Sequence, residues 1–162
     1  MPYTWVEEAL AAGTAFMSSR GLVHFDAHFG NILTDGRLLY FADFGLALST
    51  SFELSQDEAV FLADHLGYDR CYTMNGLLHR LLDGIRGDTR LEEFLVEWIA
   101  GRRFDGVPAR IAAIVDRHAR TAIVLEDFHR RLHAESRRTP FPAAEIERAL
   151  RAGQQSGWPQ TP

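Results

Sequence analysis

Apolar residues recur at helical spacing along most of this chain, and the rhythm changes only once. Val6, Leu10, Gly13 and Met17 share one helical face, with Trp5, Ala9, Ala12 and Phe16 beside them. That spacing predicts a largely buried helix over 4–19, ended by Gly21. Thr4-Trp-Val-Glu7 fits a capping box at its start. Then short apolar runs take over: Leu22-Val23, Ile32-Leu33 and Leu38–Phe41. Thr34-Asp35-Gly36-Arg37 separates the last two, and Asp-Gly between apolar runs signals a β-hairpin. Its second strand delivers Asp43 at its end. Beyond it the helical period returns. Ser55-Gln-Asp-Glu58 is a second capping box, opening a helix through about Leu66. Tyr72–Leu82 reads as a helix, and Leu91, Phe94, Leu95, Trp98 and Ile99 mark an amphipathic one. Ile111, Ile114, Val115, His118, Ala122, Leu125, Phe128 and Leu132 mark a long one. Pro142 suits a first helical position, with Ala143–Ala152 following and Gly153 as the stop. The tail, 154–162, is expected to fray. The expected fold class is mainly α (α+β): a helix, a small β-hairpin, then helices only.

Composition adds bounds. The 162 residues suit one domain, 1–153, with a real core, and 46% hydrophobic with 24% charged residues is ordinary for a globular protein. No apolar run approaches the roughly 20 residues that span a bilayer, and the first residues lack a signal peptide's basic and apolar regions. Cys71 is the only cysteine, so no intrachain disulfide can form; a cytoplasmic location and a packing role for Cys71 follow as expectations. The net charge of −5 argues against general nucleic-acid binding. Charge is uneven, however: residues 1–100 hold 6 Arg against 15 acids, and 101–162 hold 11 Arg against 7. A solvated helix face is the plainer reading of the basic third, and an anionic partner the sharper one. All 17 basic residues are arginine.

The chemistry sits around the hairpin. His24-Phe-Asp26-Ala-His28-Phe-Gly-Asn31 precedes it, and Asp43-Phe44-Gly45 follows twelve residues after Asn31. Phosphoryl transfer to a hydroxyl needs one carboxylate beside the acceptor oxygen, and Asp26 suits that role. Magnesium takes oxygen ligands and keeps several waters, so an amide and a carboxylate suffice; Asn31 and Asp43 suit. Gly45 after Asp43-Phe44 gives the backbone freedom to aim that carboxylate. Asp57, Asp64 or Asp69 could brace the loop, and nothing in the sequence selects among them. His65, His79, His118, His129 and His133 lie in helical stretches and read as packing residues; Phe94 and Trp98 read as core.

In these motifs the chain resembles the protein-kinase-like superfamily, closely over residues 4–48 and beyond that only as a helical lobe. The 24–33 stretch is most similar to the catalytic loop of aminoglycoside- and choline-type phosphotransferases, which carry a histidine where His28 stands. Asp43-Phe44-Gly45-Leu46-Ala47 is more similar to the protein-kinase metal motif. The resemblance implies that Asp26 is the catalytic base, that Asn31 and Asp43 hold Mg²⁺ with Phe44 and Gly45 beside the nucleotide, and that His24 braces the loop. His28 would approach the transferring phosphate. ATP is the implied donor. No Ala-Pro-Glu follows Asp43, which tilts the acceptor toward a hydroxyl-bearing small molecule rather than a protein Ser or Thr. No Gly-rich phosphate loop is present, and the phosphate-binding lysine is missing because the chain has no lysine. The expectation is a C-terminal lobe without its N-lobe, of little activity alone, with an apolar face exposed for a separate N-lobe or for self-association. Two alternatives stand: a non-catalytic, pseudokinase-like binding module, and a zinc hydrolase in which His24, Asp26 and His28 alternate along a strand as three ligands.

Overall fold

A computed structural model describes residues 3–136 and 138–155. The described residues are mainly helical, with six α-helices and two small two-stranded sheets. They fall into two compact units, Met1–Gly76 and Leu77–Pro162, with the division inside the third helix. No helix among the described residues is long and apolar enough to cross a membrane.

The first unit opens with α1 (Tyr3–Ser19), which buries Glu7, Leu10, Thr14 and Met17 on one stripe. The buried stripe is narrower than the largely buried helix expected: Phe16 is 59% exposed and Ala12 lies at the surface. The predicted Thr4 cap is also corrected. Thr4 lies inside the helix, and Glu7, in register with Leu10 and Thr14, is drawn into the buried stripe. Gly21 ends the helix as expected; its φ of +66° is open to glycine, and a Cβ there would strike the Thr50 side chain.

Two nested antiparallel pairs follow. β1 (Leu22–Val23) pairs with β4 (Leu48–Ser49), and β2 (Ile32–Thr34) pairs with β3 (Leu39–Phe41) inside it. The Asp-Gly turn forms as read: Asp35 Oδ1 accepts from the Arg37 and Leu38 N–H groups, and Gly36 takes φ +89°. Gly13 lets the Phe41 ring lie against α1. Helix α2 (Gln56–Asp64) begins with the predicted box, Ser55 Oγ accepting from Glu58 N–H and Glu58 accepting from Ser55 N–H. Helix α3 runs over Tyr68–Arg86, starting four residues before the apolar period announces it.

The second unit holds the rest of α3 with α4 (Leu91–Ile99), α5 (Ala109–Ala134) and α6 (Ala143–Gln155). Phe94, Leu95, Ile114, Val115 and Leu125 form its centre, and Phe104 stacks on Phe94 at 4.1 Å. Gly153 does not stop α6, which continues to Gln155; the remainder of the predicted tail lies outside the described residues. Gly153 is instead a packing residue. A Cβ on it would lie 2.3 Å from the Arg117 carbonyl oxygen of α5. Gly153→Ala should therefore destabilise this unit by about 2 kcal/mol despite alanine's better helix propensity, read as a lower urea midpoint.

Two histidines make stability depend on pH. Burial holds His65, whose Nδ1 lies 2.7 Å from the Phe61 carbonyl, and His129 below the ordinary value of 6.5. A base with a depressed folded pKa favours folding while neutral. Its contribution is complete above 6.5 and is lost as pH falls below it. Urea unfolding at pH 7.5 and 5.5 should show a loss of stability that His65→Phe reduces. Cys71 is buried and its thiol is pushed up to about 12, so it stays protonated and packs as an apolar group.

Candidate active site

The nested strands bring two distant loops to one place. Val23 opposes Leu48, so the chain leaving β1 and the chain entering β4 start side by side. Ile32 opposes Phe41, and one step beyond, the Ala42 N–H donates to the Asn31 carbonyl at 2.8 Å. Asn31 is thereby paired through its backbone with Ala42, the residue before Asp43.

His24 is fully buried, and both its ring nitrogens have backbone partners. The Asp26 N–H donates to Nδ1 at 3.3 Å, so Nδ1 must be the acceptor and Nε2 carries the hydrogen toward the Ala42 carbonyl at 2.9 Å. The ring also lies against Phe44, centroid to centroid 4.5 Å. One imidazole thus ties the 24–31 loop to the 43–45 turn. The strand on which the zinc reading placed its three ligands does not form over 24–28, and His24 faces inward with both ring nitrogens engaged. Among the described residues no group of three His, Cys, Asp or Glu side chains could hold a metal ion.

Asp26 is half-buried and is gripped by the Asn31 amide. Nδ2 donates to the Asp26 carbonyl at 3.0 Å and to its Oδ2 at 3.1 Å. Both amide hydrogens are so used, which leaves Oδ1 as the acceptor atom of the Asn31 amide. His28 is exposed, its Nδ1 accepting from Gly30 N–H at 3.0 Å and its Nε2 3.7 Å from Asp26 Oδ1. His28 therefore sits at the open side of the Asp26 carboxylate.

Strain is concentrated here. Only two described residues other than glycine have positive φ: Phe25 at 63° and Asp43 at 60°. One precedes Asp26 and the other is the second predicted oxygen donor. Backbone outliers of this kind cost about 1–3 kcal/mol and persist where surroundings enforce them. The freedom assigned to Gly45 is in fact taken by Asp43 itself. Gly45 contributes room: its N–H donates to Asp43 Oδ1 at 3.4 Å, and a Cβ would crowd that oxygen at 3.2 Å.

Asp69, in the first turn of α3, enforces the strain at Phe25. Its Oδ2 accepts from His24 N–H at 2.6 Å and its Oδ1 from Phe25 N–H at 3.0 Å. The structure thus selects Asp69 from the three acids the sequence offered. Burial raises its carboxyl above the ordinary value, opposed by those two donors. Aromatic rings missed by sequence reasoning gather on the same side. Phe25 lies within 5.7 Å of the Phe61, His65 and Tyr68 rings, and Tyr72 stacks on Tyr68 at 5.4 Å. Burial, aided by the charge on Asp26, raises the phenol pKa of both tyrosines. The only hint in the sequence was the aromatic content of 61–72, with no period to attach it to the Asp26 loop.

Large apolar side chains are exposed within this unit. Leu33 and Tyr40, cross-strand partners, are exposed together with Leu38, Phe44 and Leu46. Comparison with models of protein families, with curated proteins and with solved structures gave no match, so the functional reading rests on these residues and their geometry.

Proposed function

We propose that this chain is the catalytic-loop and metal-binding lobe of a kinase-like phosphotransferase, moving the γ-phosphoryl group of ATP to a hydroxyl. The observation that carries the reading is the placement of Asn31. Its amide holds the Asp26 carboxylate, and its backbone holds the strand that presents Asp43. These two bonds support a reading in which one loop cluster supplies an acid–base group and a pair of hard oxygen donors.

Asp26 is the group for the acceptor hydroxyl: it orients the oxygen and takes its proton as the bond to phosphorus forms. The amide oxygen of Asn31 and the carboxylate of Asp43 fit magnesium, and both lie far enough toward solvent to share a cation that keeps its waters. Magnesium there would neutralise charge on the transferring phosphate. The Tyr68–Tyr72 side of the loop offers a wall for the acceptor. The absence of Ala-Pro-Glu after Asp43 favours a small-molecule acceptor. The missing lysine means the phosphate grip comes from outside these residues.

The reading can be tested on the chain as it is. Manganese titrated with ATP should broaden the NMR signals of Asn31 and of 43–45 first, because the paramagnetic ion replaces magnesium on the same oxygens. Asp43→Ala should weaken that broadening at least tenfold. Broadening scattered over surface acids, and unchanged in the variant, would remove the metal assignment. The alternative of a non-catalytic binding module would then stand.

A further inference from the structure

The second unit contains a cleft that the phosphotransferase reading does not use. It lies where the last turn of α4 meets the middle of α5, has a volume of about 240 Å³, and is lined by Trp98, Ile99, Arg103, Asp116, Ala119 and Arg120. Its polar groups are arranged in an uneven way. Asp116 Oδ1 accepts from the Trp98 indole N–H at 2.7 Å and faces Arg103 Nη2 at 3.9 Å. The one carboxylate of the cleft is thus already compensated. Arg103 is held in place: its guanidinium lies 4.6 Å over the Trp98 ring, and Nη1 donates to the Trp98 carbonyl at 3.0 Å. That carbonyl also accepts from Gly101 N–H, so the partial negative charge at this helix end is covered.

Arg120 completes the arrangement. It stands four residues after Asp116 on α5, a spacing that ordinarily gives an ion pair. Arg120 is exposed and, among the described residues, its side chain has no ion-pair or hydrogen-bond partner; surface arginines such as Arg37 and Arg80 share that state, and Arg120 differs from them in lining the cleft. The cleft therefore presents two guanidinium groups, one pre-oriented by stacking and shared with Asp116, the other uncommitted, against a single carboxylate that the Trp98 indole N–H also engages, which leaves an excess of one positive charge. Planar guanidinium forks match tetrahedral oxyanions, and orientation by an aromatic plate lowers the entropy lost on binding.

We propose that this cleft binds a phosphate group, with Arg103 and Arg120 as its two donors. The site stands apart from Asp26 and Asp43 in chemistry and does not depend on the proposed phosphotransferase activity. It also gives a specific place to the anionic partner that the arginine excess of residues 101–162 suggested.

The Trp98 indole N–H signal in NMR reports directly on the cleft. Titrating inorganic phosphate at constant ionic strength should shift it saturably. Arg120→Gln should weaken that binding at least fivefold while leaving the urea midpoint unchanged, since the Arg120 side chain is exposed and makes no hydrogen bond or ion pair among the described residues. Arg151→Gln, on α6, should leave binding unchanged, and so should Asp43→Ala. Phosphoserine is the second arm: tighter binding than inorganic phosphate identifies a phosphomonoester as the source, and equal binding identifies free phosphate. A shift that does not saturate, or that Arg120→Gln leaves intact, overturns the proposal.

Discussion

Asp69→Ala is expected to destabilise the first unit by about 3 kcal/mol, a large share of a small domain's stability. Two backbone donors, His24 N–H and Phe25 N–H, end on this carboxylate. Each buried donor left without an acceptor costs about 1–3 kcal/mol. The sum is reduced because burial raises the Asp69 pKa, which means that the ionised group carries a desolvation cost that alanine removes. Asp64→Ala, an exposed acid at the end of α2, should change stability by less than about 0.5 kcal/mol. The comparison also has a local readout. Without Asp69 the Phe25 N–H loses its acceptor and only ring packing holds that residue at positive φ, so the loop should relax and the manganese response at Asn31 should weaken with it. Equal urea midpoints for the two variants would show that Asp69 does not brace the loop.

The elements were legible where local chemistry decides them. The Ser55 box, the Asp35-Gly36 turn and the α4 stripe each depend on residues a few positions apart, and each forms as read. The failures share a different cause. Gly153 reads as a stop because glycine weakens helices, but the Arg117 carbonyl on another helix decides its use. Phe16 reads as core because periodicity gives a face without saying how wide it is. The same division runs through the site. That the Asn31 loop and the 43–45 turn flank one hairpin could be read from spacing because the hairpin between them is short and local. Asp69 could not, since it lies 45 residues from His24 and its contact depends on where α3 begins. The strain at Phe25 was also invisible, because no residue type announces a left-handed phenylalanine. Nor could His24-x-Asp26-x-His28 reveal by alternation that it is a loop: the period of two is the same until φ is known.

The largest effect belongs to Asp26. Asp26→Asn should lower phosphoryl transfer by about 10²–10⁴-fold in any assembly of this chain that turns over, the range a positioned general base contributes. The substitution is close to isosteric, and Asn31 Nδ2 keeps its bond to the Asp26 backbone carbonyl at 3.0 Å. Loop shape and the Asn31–Ala42 backbone bond should therefore survive, with the manganese response at 43–45 retained. Asp43→Ala should do the reverse, removing the metal response while the Asp26 carboxylate stays in place. The two variants thus separate proton transfer from metal binding, which a general loss of folding cannot do. The split should also appear in kinetics: kcat falls with KM for nucleotide little changed in Asp26→Asn, whereas KM for the metal–nucleotide complex rises in Asp43→Ala. Full turnover in Asp26→Asn would mean that the carboxylate held by Asn31 is not the base, and would move the acid–base role to His28, 3.7 Å away.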